Sequence, residues 1–393
     1  MKQKIFIFLI LLFFLHLGFR IYSYRDNYFS RYDPKYWNYR YEHSQWIVPV
    51  ECSIILKNKK SKDYSWCVKH KAEYKKQILL GDDGLYAYTG WEYINGRDPT
   101  TLNAEIPPFG KYLIGLSIIL FGNQNVFALS CGIIALLALY LLNLRIVKNK
   151  LLAFLPVFAF SLEPLFYTQL NAPFLDLLYL ALLLFTFLFI LKRKYILASI
   201  FLGLMASTKS SLSTFIVVGA TILIYLLLSE ILEKNRKKWK FSEIKKFLLS
   251  FPIAGLVFLM TYAVFFIHGN NLRQFLGVQK WILGFYFIGV KGSILTVWQM
   301  LLIGRWDNWF GPSLQVKEWY IGWGILLMLS LYQTYVFIIK RNFDEKTLCL
   351  IWIIIYLSFL SIIPVWPRYL LLLLPFMYNL AIWSLAKNIT RSS

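Results

Sequence analysis

Long apolar runs separated by short polar segments make up most of this 393-residue chain. Several runs reach the roughly 20 residues that an α-helix needs to cross a hydrocarbon core. Because a backbone in lipid must satisfy its own hydrogen bonds, such runs predict membrane-spanning helices. We expect crossings at 124–144, 150–168, 174–191, 195–208, 211–229, 247–267, 319–340, 347–364 and 368–386. The pattern predicts an all-α polytopic membrane protein with about 10–11 transmembrane helices.

The first apolar run, at 4–22, follows a Met-Lys-Gln-Lys start. It lacks a small-x-small cleavage site, which favours an uncleaved anchor with its N-terminus inside. The polar segment that follows, 24–108, then lies outside, and its many lysines do not oppose this because long loops are largely exempt from the positive-inside bias. We predict one membrane domain over 1–393, with a long first outer loop and the remaining helices at 124–386.

Short basic clusters set the sidedness of the remaining helices. They lie near 145–150, 192–194, 234–246 and 340–346. If these clusters are cytoplasmic, only one full crossing fits between residues 108 and 145, although apolar runs occupy both 109–121 and 124–144. A helix over 109–121 is only about 20 Å long, shorter than the roughly 30 Å of hydrocarbon. We interpret 109–121 as an interfacial or re-entrant helix; the alternative is that both runs cross and the Arg145 cluster lies outside.

The composition agrees with this topology. Hydrophobic residues make up 58% of the chain and aromatic residues 19%, with many Trp and Tyr beside apolar runs, as in interfacial belts. The short basic loops account for the net charge of +22, and no basic face interleaved with stacking aromatics indicates nucleic-acid binding. Cys131 and Cys349 lie in apolar runs, whereas Cys52 and Cys67 share the outer loop, where a disulfide is allowed but not required.

Acidic residues are concentrated in segments that the topology places outside. Asp82 and Asp83 stand between two glycines and precede 85–94, which has the pattern of an amphipathic surface helix. Paired carboxylates suit a general base or a divalent cation, and one of them could instead be the helix N-cap. Asp176 opens an apolar run, where a lone carboxylate is costly unless it faces a polar cavity or caps a helix.

Three cations lie near the same predicted face. Glu105 precedes a Pro-Pro turn that suits a helix start, and Lys111 follows near that start, where free N–H groups favour a phosphate. Its alternative role is to extend toward the lipid headgroups. Lys209 interrupts two apolar runs and Arg368 begins the last crossing, so each could bind a lipid phosphate, the headgroup layer or a partner carboxylate.

Other polar residues give weaker signals. The aromatics of 305–311, with Asp307, would line a sugar subsite or form an interfacial belt, which is the commoner use of Trp. Glu163 is a further candidate near the same face, and His268 has no evident partner in the sequence and is interpreted as structural.

Taken in order, these segments resemble the polyprenyl-phosphate-sugar-dependent glycosyltransferases of the GT-C fold, in particular the protein O-mannosyltransferases and the aminoarabinose lipid A transferases. The segments that carry the resemblance are Asp82-Asp83, Glu105 to Lys111, Leu120-Phe121-Gly122, Leu175-Asp176, Gly203 to Lys209 and Arg368 to Phe376. The mannosyltransferases usually carry Asp-Glu at the first motif and an Arg before the later Asp, where this chain has Gln169. These departures concern the acceptor more than the reaction class.

The resemblance implies a GT-C-like bundle that transfers a sugar, with inversion, from a polyprenyl-phosphate donor to a protein, lipid or glycan acceptor on the outer face of the plasma membrane. It implies that Asp82 is the general base and that Asp83 and Asp176 orient the substrates. The implied substrate-binding residues are Glu105, Lys111, Asp176, Lys209 and Arg368, with the three cations on the lipid phosphate. The resemblance gives no certain cofactor, and a divalent metal ion at Asp82, Asp83 and Asp176 is an open alternative.

Two other functions remain possible from the sequence. A transporter or flippase of lipid-linked sugars would explain intramembrane charges and the break near Lys209. A structural membrane subunit would have no use for the acidic residues. The expected partners are membrane lipids and the two substrates, without nucleic acid.

Overall fold

The computed structural model describes residues 2–47, 65, 68, 78–232, 241–289, 293–307, 312–340 and 343–392. The helices are α1 (Lys2–Ser23), α2 (Arg25–Phe29), α3 (Pro34–Glu42), α4 (Asp82–Ile94), α5 (Phe109–Phe121), α6 (Asn125–Val147), α7 (Lys150–Ser161), α8 (Pro164–Leu170), α9 (Asp176–Leu191), α10 (Tyr195–Ala206), α11 (Ser211–Leu232), α12 (Ser242–Met260), α13 (Ala263–Ile267), α14 (Leu272–Gly289), α15 (Thr296–Ile303), α16 (Gly322–Lys340), α17 (Thr347–Ile362) and α18 (Leu374–Ser392). A short antiparallel hairpin pairs β1 (Arg305–Trp306) with β2 (Leu314–Gln315), and a 3₁₀ helix at Pro367–Leu372 precedes α18. Cys52, Cys67 and 308–311 lie outside the described residues.

The chain is a polytopic all-α membrane protein, as predicted. Among the described helices, α1, α6, α11 and α16 are long and apolar enough to cross a membrane, and α7 with α8 makes a fifth candidate. Shorter apolar helices, including α5, α9, α10 and α17, fill the bundle. The predicted helix over 109–121 is present as α5.

The predicted crossing at 150–168 is not one continuous helix, because α7 and α8 meet at a bend of 69°; the pair remains a candidate span. Proline disfavours helical backbone at the residue before it and lacks the N–H that a helix interior needs. Glu163 accordingly has an extended conformation, and α8 begins at Pro164. The last crossing also departs from a continuous helix over 368–386, since Pro375 cannot donate a helical hydrogen bond and a 3₁₀ segment precedes α18.

The central helix of the bundle is α9. All of its residues except Phe185 and Phe189 are buried, and it packs against α6 and α10. A helix that is apolar all round is one that neighbours surround on every side. The 3₁₀ helix packs against α9. Asp176, the first residue of α9, therefore lies near Arg368 of the 3₁₀ helix.

The prediction of a surface helix over 85–94 is wrong. Most of α4 is buried, and it packs along α5. The two helices approach closely because both carry glycine at the crossing. A Cβ at Gly90 would lie 2.7 Å from the Lys111 carbonyl oxygen, and a Cβ at Gly115 would overlap the Gly90 backbone. The aromatic residues that suggested an interfacial surface instead fill this helix pair.

The segment 268–318, between the predicted crossings at 247–267 and 319–340, contains α14, α15 and the hairpin. Two contacts attach the start of this segment to the connection between α4 and α5. The His268 ring Nε2 lies 3.0 Å from the Gly96 carbonyl oxygen, and the Asn270 amide donates to Asp98 at 3.2 Å. His268 therefore has a partner that the sequence did not indicate, and its role is structural.

Candidate active site

Four charged side chains from distant parts of the chain form one ion-pair network. The Arg368 Nη2 donates a hydrogen bond to Asp82 Oδ2, and the Lys209 Nζ donates to Asp176 Oδ1. The Arg368 Nε lies 3.6 Å from Asp176 Oδ2 and so joins the two pairs. The charges alternate along the network, and they sum to zero when all four groups are ionised. The structure therefore brings together four of the residues that the sequence singled out.

The ends of helices place both carboxylates of the network. Asp82 is the first residue of α4 and Asp176 the first residue of α9. A negative charge in the first turn is favoured by the helix dipole and by free N–H groups. The N-cap of α4 is Gly81, so the prediction that Asp82 or Asp83 caps this helix is wrong. Both aspartates are in the first turn instead.

The cations come from two connecting segments. Lys209 lies in the turn between α10 and α11, and Arg368 is the second residue of the 3₁₀ helix. Two contacts dock the start of α5 against this region. Phe109 N donates to the Ser207 carbonyl at 2.9 Å, and a Cβ at Gly110 would lie 2.6 Å from a Leu175 methyl group. The start of α5, which follows the Pro-Pro turn, therefore lies against the segments that carry Lys209 and Asp176.

The network runs from a buried end to an accessible end. The exposed side-chain fraction is 1% for Asp176, 11% for Lys209, 15% for Arg368 and 28% for Asp82. A ligand that approaches from solvent therefore reaches Asp82 first.

Aromatic rings enclose the two cations. The Lys209 Nζ lies 4.4 Å from the Tyr369 ring centroid, and the Arg368 guanidinium lies 5.2 Å from Phe174 and 5.4 Å from Trp366. Such rings stabilise a cation while they exclude water from it.

Burial shifts the pKa of Lys209, a member of the network, and of Tyr86, which lies beside it. It lowers the pKa of Lys209 to about 8, although the Asp176 carboxylate opposes this change. Burial, followed by the charge of Asp82, raises the pKa of Tyr86 well above its usual value. Tyr86 therefore remains a neutral hydroxyl one turn after Asp82.

Asp83 differs from its neighbour. It is half-buried, and within the described parts of the chain its carboxylate has no hydrogen-bond or ion-pair partner. Its Oδ1 lies close to Gly81, where a Cβ would come within 2.5 Å. The pair Asp82-Asp83 thus consists of one carboxylate held by a cation and one that has no partner among the described residues.

Lys111 and Glu105 belong to a separate set of contacts. Lys111 is fully buried, and its Nζ donates to the carbonyls of Asn103 and Ile106, both at 2.7 Å, and to the Tyr93 hydroxyl at 3.2 Å. These contacts give Lys111 a structural role in place of the predicted phosphate contact. Glu105 accepts from the Asn103 amide, and its carbonyl oxygen accepts from the Tyr286 hydroxyl at 3.2 Å.

The site's donor set does not fit the metal alternative. Asp82 and Asp176 are each paired with a cation. Among the residues that the structure describes, no three His, Cys, Asp or Glu side chains form a group that could hold a metal ion.

Two supporting contacts were not evident from the sequence. Trp306 of β1 lies 4.7 Å from Trp366, centroid to centroid, and its indole N–H donates to the Val365 carbonyl at 2.7 Å. The hairpin therefore holds the turn that carries Arg368. Both tryptophans are visible in the sequence, but nothing in it indicates that residues sixty positions apart pack together.

Glu163, a weaker candidate from the sequence, is fully buried at the bend between α7 and α8. Its carboxylate accepts from Trp323 at 2.9 Å, from Tyr378 at 2.8 Å and from Tyr320 at 3.2 Å. These contacts tie the bend to α16 and α18 and give Glu163 a structural role.

Comparison with known proteins supports the fold. No family model matches the chain, and no curated protein matches it significantly. The chain is similar to crystal structures of ArnT from Cupriavidus metallidurans, an aminoarabinose lipid A transferase of the GT-C fold. The apo structure has 16% identity and a TM-score of 0.56, over 83% of this chain and 60% of that one. The structure bound to undecaprenyl phosphate has 16% identity and a TM-score of 0.57, over 83% and 61%.

This chain spans about three fifths of the length of the ArnT structures. The likeness shows the GT-C-like fold that the sequence predicted.

Proposed function

We propose that this protein is a membrane glycosyltransferase that moves a sugar from a polyprenyl-phosphate donor to an acceptor hydroxyl on the outer face of the membrane. One observation carries the proposal: Arg368 bridges Asp82 and Asp176, so a cation suited to bind phosphate contacts a carboxylate suited to accept a proton. Support also comes from the fold shared with ArnT, of which one structure has undecaprenyl phosphate bound.

Lys209 and Arg368 would hold the donor phosphate. The leaving group is already a stable anion, so it needs charge stabilisation more than it needs a proton. A guanidinium and an ammonium from adjacent segments supply this, and the surrounding rings keep the site dry, which strengthens both interactions.

Asp82 would act as the general base. It accepts the proton of the acceptor hydroxyl while the hydroxyl oxygen attacks the anomeric carbon. The bond between that carbon and the phosphate oxygen breaks, and its electron pair leaves on polyprenyl phosphate. Attack from the face opposite the phosphate inverts the anomeric centre. Asp83, which is next to Asp82 and unpaired among the described residues, would orient the acceptor.

The test measures release of polyprenyl phosphate by purified protein in nanodiscs, from a panel of polyprenyl-phosphate hexoses and pentoses with cell-envelope extract as acceptor. We expect wild-type release that falls by about 10²-fold or more in Asp82→Asn. Full activity in this variant would contradict the base assignment. No release from any donor would contradict the transferase. Movement of intact lipid-linked sugar without a new glycoside would contradict it as well and would favour a transporter.

Mass spectrometry of the cell envelope, with and without the protein, would identify the sugar and the acceptor. We expect one glycan to disappear with the protein and to remain absent when only Asp82→Asn is supplied.

A further inference from the structure

We propose that Asp82 occupies, in the free enzyme, the place on Arg368 that the donor phosphate takes, so that donor binding itself releases Asp82 to act as the base. This inference rests on the proposed function. It concerns the order of events in the site, which the reaction class alone does not specify.

The geometry of Arg368 favours a single phosphate over the two carboxylates. The Nε and Nη2 N–H groups of a guanidinium point along one edge, which suits the two oxygens of one carboxylate or phosphate. Here two different carboxylates share that edge. Nη2 bonds Asp82, whereas Nε is 3.6 Å from Asp176 and, although buried, has no hydrogen-bond partner among the described residues. A single phosphate would satisfy both N–H groups.

The charge of the network also favours displacement of a carboxylate by phosphate. The four ionised groups of the network sum to zero, so a bound phosphate adds uncompensated negative charge unless a carboxylate moves away. Asp176 is 1% exposed and is held by Lys209, whereas Asp82 is 28% exposed and contacts only Arg368 among the described ion pairs. Moving Asp82 into solvent costs little, and moving Asp176 would leave a buried ammonium unpaired. Asp82 is therefore the carboxylate that the phosphate displaces.

The hydrogen bond from Arg368 also bears on Asp82 as a base. While Asp82 Oδ2 accepts a hydrogen bond from Arg368, the guanidinium competes with an acceptor hydroxyl for this oxygen. Once phosphate takes its place, the same oxygen lies beside the donor's leaving group and is free. The enzyme thus acquires its base only when the donor is present, which predicts binding in the order donor, then acceptor.

The test compares binding of C55 polyprenyl phosphate to three purified proteins in nanodiscs: wild type, Asp82→Asn and Asp83→Asn. Both substitutions remove one negative charge from the first turn of α4, but only Asp82 pairs with Arg368. We expect Asp82→Asn to bind about ten-fold more tightly than wild type. Asp83→Asn should change the affinity by less than about three-fold, since Asp83 is not paired with Arg368 and solvent screens a charge that acts at a distance.

The possible outcomes are distinct. Equal tightening in both variants would reduce the effect to general electrostatics and overturn the inference, as would no tightening in either. If wild type does not bind the lipid at all, the proposed function fails as well.

A second measurement uses the unmodified protein and does not depend on the variants folding. Carbodiimide coupling, followed by peptide mass spectrometry, reports how accessible each carboxylate is. Polyprenyl phosphate should speed the labelling of Asp82 several-fold and leave Asp83 unchanged. Slower labelling of Asp82 in the presence of the lipid would mean that phosphate covers this residue, and would overturn the inference.

Discussion

Asp176 is the residue on which the network depends, because it is the buried partner of both Lys209 and Arg368. Removal of one member of a buried ion pair typically costs 3–5 kcal/mol, since the other charge stays buried without a partner. We expect Asp176→Asn to lower the free energy of unfolding by about 3 kcal/mol or more, as measured by thermal and denaturant unfolding in detergent.

The matched control is Asp307→Asn. Asp307 pairs with Arg305 at 3.7 Å, and the arginine side chain is 59% exposed. Exposed pairs contribute about 0–1 kcal/mol. Similar losses in the two variants would mean that the Asp176 network is not a buried electrostatic unit.

Lys209 should give activity an alkaline limit. Its pKa in the folded protein is about 8, lowered from 10.5 by burial, so its charge is lost as pH rises through about 8. We expect transfer to fall above that pH, and Lys209→Arg to shift the fall to higher pH because arginine stays protonated. The pH profile of kcat/KM measures this, and identical profiles would exclude Lys209 as the titrating group.

The stability contribution of Lys209 has the opposite slope. Between about pH 8 and 10.5 the unfolded chain binds this proton and the folded chain does not, so stability from this group rises with pH over that window. Activity and melting temperature should therefore diverge in wild type above pH 8, and the divergence should shrink in Lys209→Arg.

Sequence reasoning found the members of the site but not their pairing. Their place on one predicted face, and then motif order, singled out Asp82, Asp176, Lys209 and Arg368. Residues 286 positions apart give no local signal that they will be hydrogen-bonded. For Lys111, the sequence suggested the wrong partner. Its place near a helix start suggested an anion, but its N–H groups donate to carbonyls of the preceding loop.

At the level of elements, the glycine crossing of α4 and α5 holds Asp82 in position. A Cβ at Gly115 would meet backbone atoms of Gly90, which cannot turn aside as a side chain can. We expect Gly115→Ala to cost about 1–3 kcal/mol and to reduce transfer, because the helices must separate. Melting temperature and activity measure the effect.

The control for this prediction is Gly255→Ala, in α12, where a Cβ would meet nothing within 4 Å. Alanine is favoured over glycine in a helix by about 0.5–1 kcal/mol, so this variant should be neutral or more stable. A loss equal to that of Gly115→Ala would remove the packing explanation.

Proline and glycine at the ends of helices decided which helix boundaries the sequence could predict. The Pro-Pro turn starts α5, and Gly122, with φ +66°, ends it, so the predicted range 109–121 matches the structure. The same chemistry at Pro164 and Pro375 breaks two predicted crossings, which apolar length alone could not reveal. For α4, the periodicity could not tell whether the apolar face meets lipid or another helix.

For the whole molecule, the topology remains a prediction that labelling can test. Asn95 and Lys194 are both exposed, and the topology places Asn95 outside and Lys194 inside. We expect a membrane-impermeant maleimide to label Asn95→Cys in intact cells, and Lys194→Cys only after permeabilisation, in a background that carries Cys52→Ser and Cys67→Ser. The reverse pattern would place the site in the cytoplasm.

The fold class could be predicted because it depends on a hydrophobic pattern that survives great sequence change, as 16% identity to ArnT illustrates. The number of full crossings was less predictable. Among the described helices only four are long enough alone, because several apolar runs are short or bent inside the bundle. Substrate choice depends on particular side chains, so the fold does not specify it.

The separation of Asp82 and Arg368 along the chain also has a consequence for biogenesis. Chains leave the ribosome N-terminus first. The Lys111 contacts span at most 18 residues and can form early, but Asp82 must wait for a partner 286 residues further on. The helices that begin with Asp82 and Asp176 are therefore synthesised before the arginine that links the two carboxylates. The network is completed only after Arg368 has been synthesised, so a nascent chain that is shorter than this lacks the link between Asp82 and Asp176.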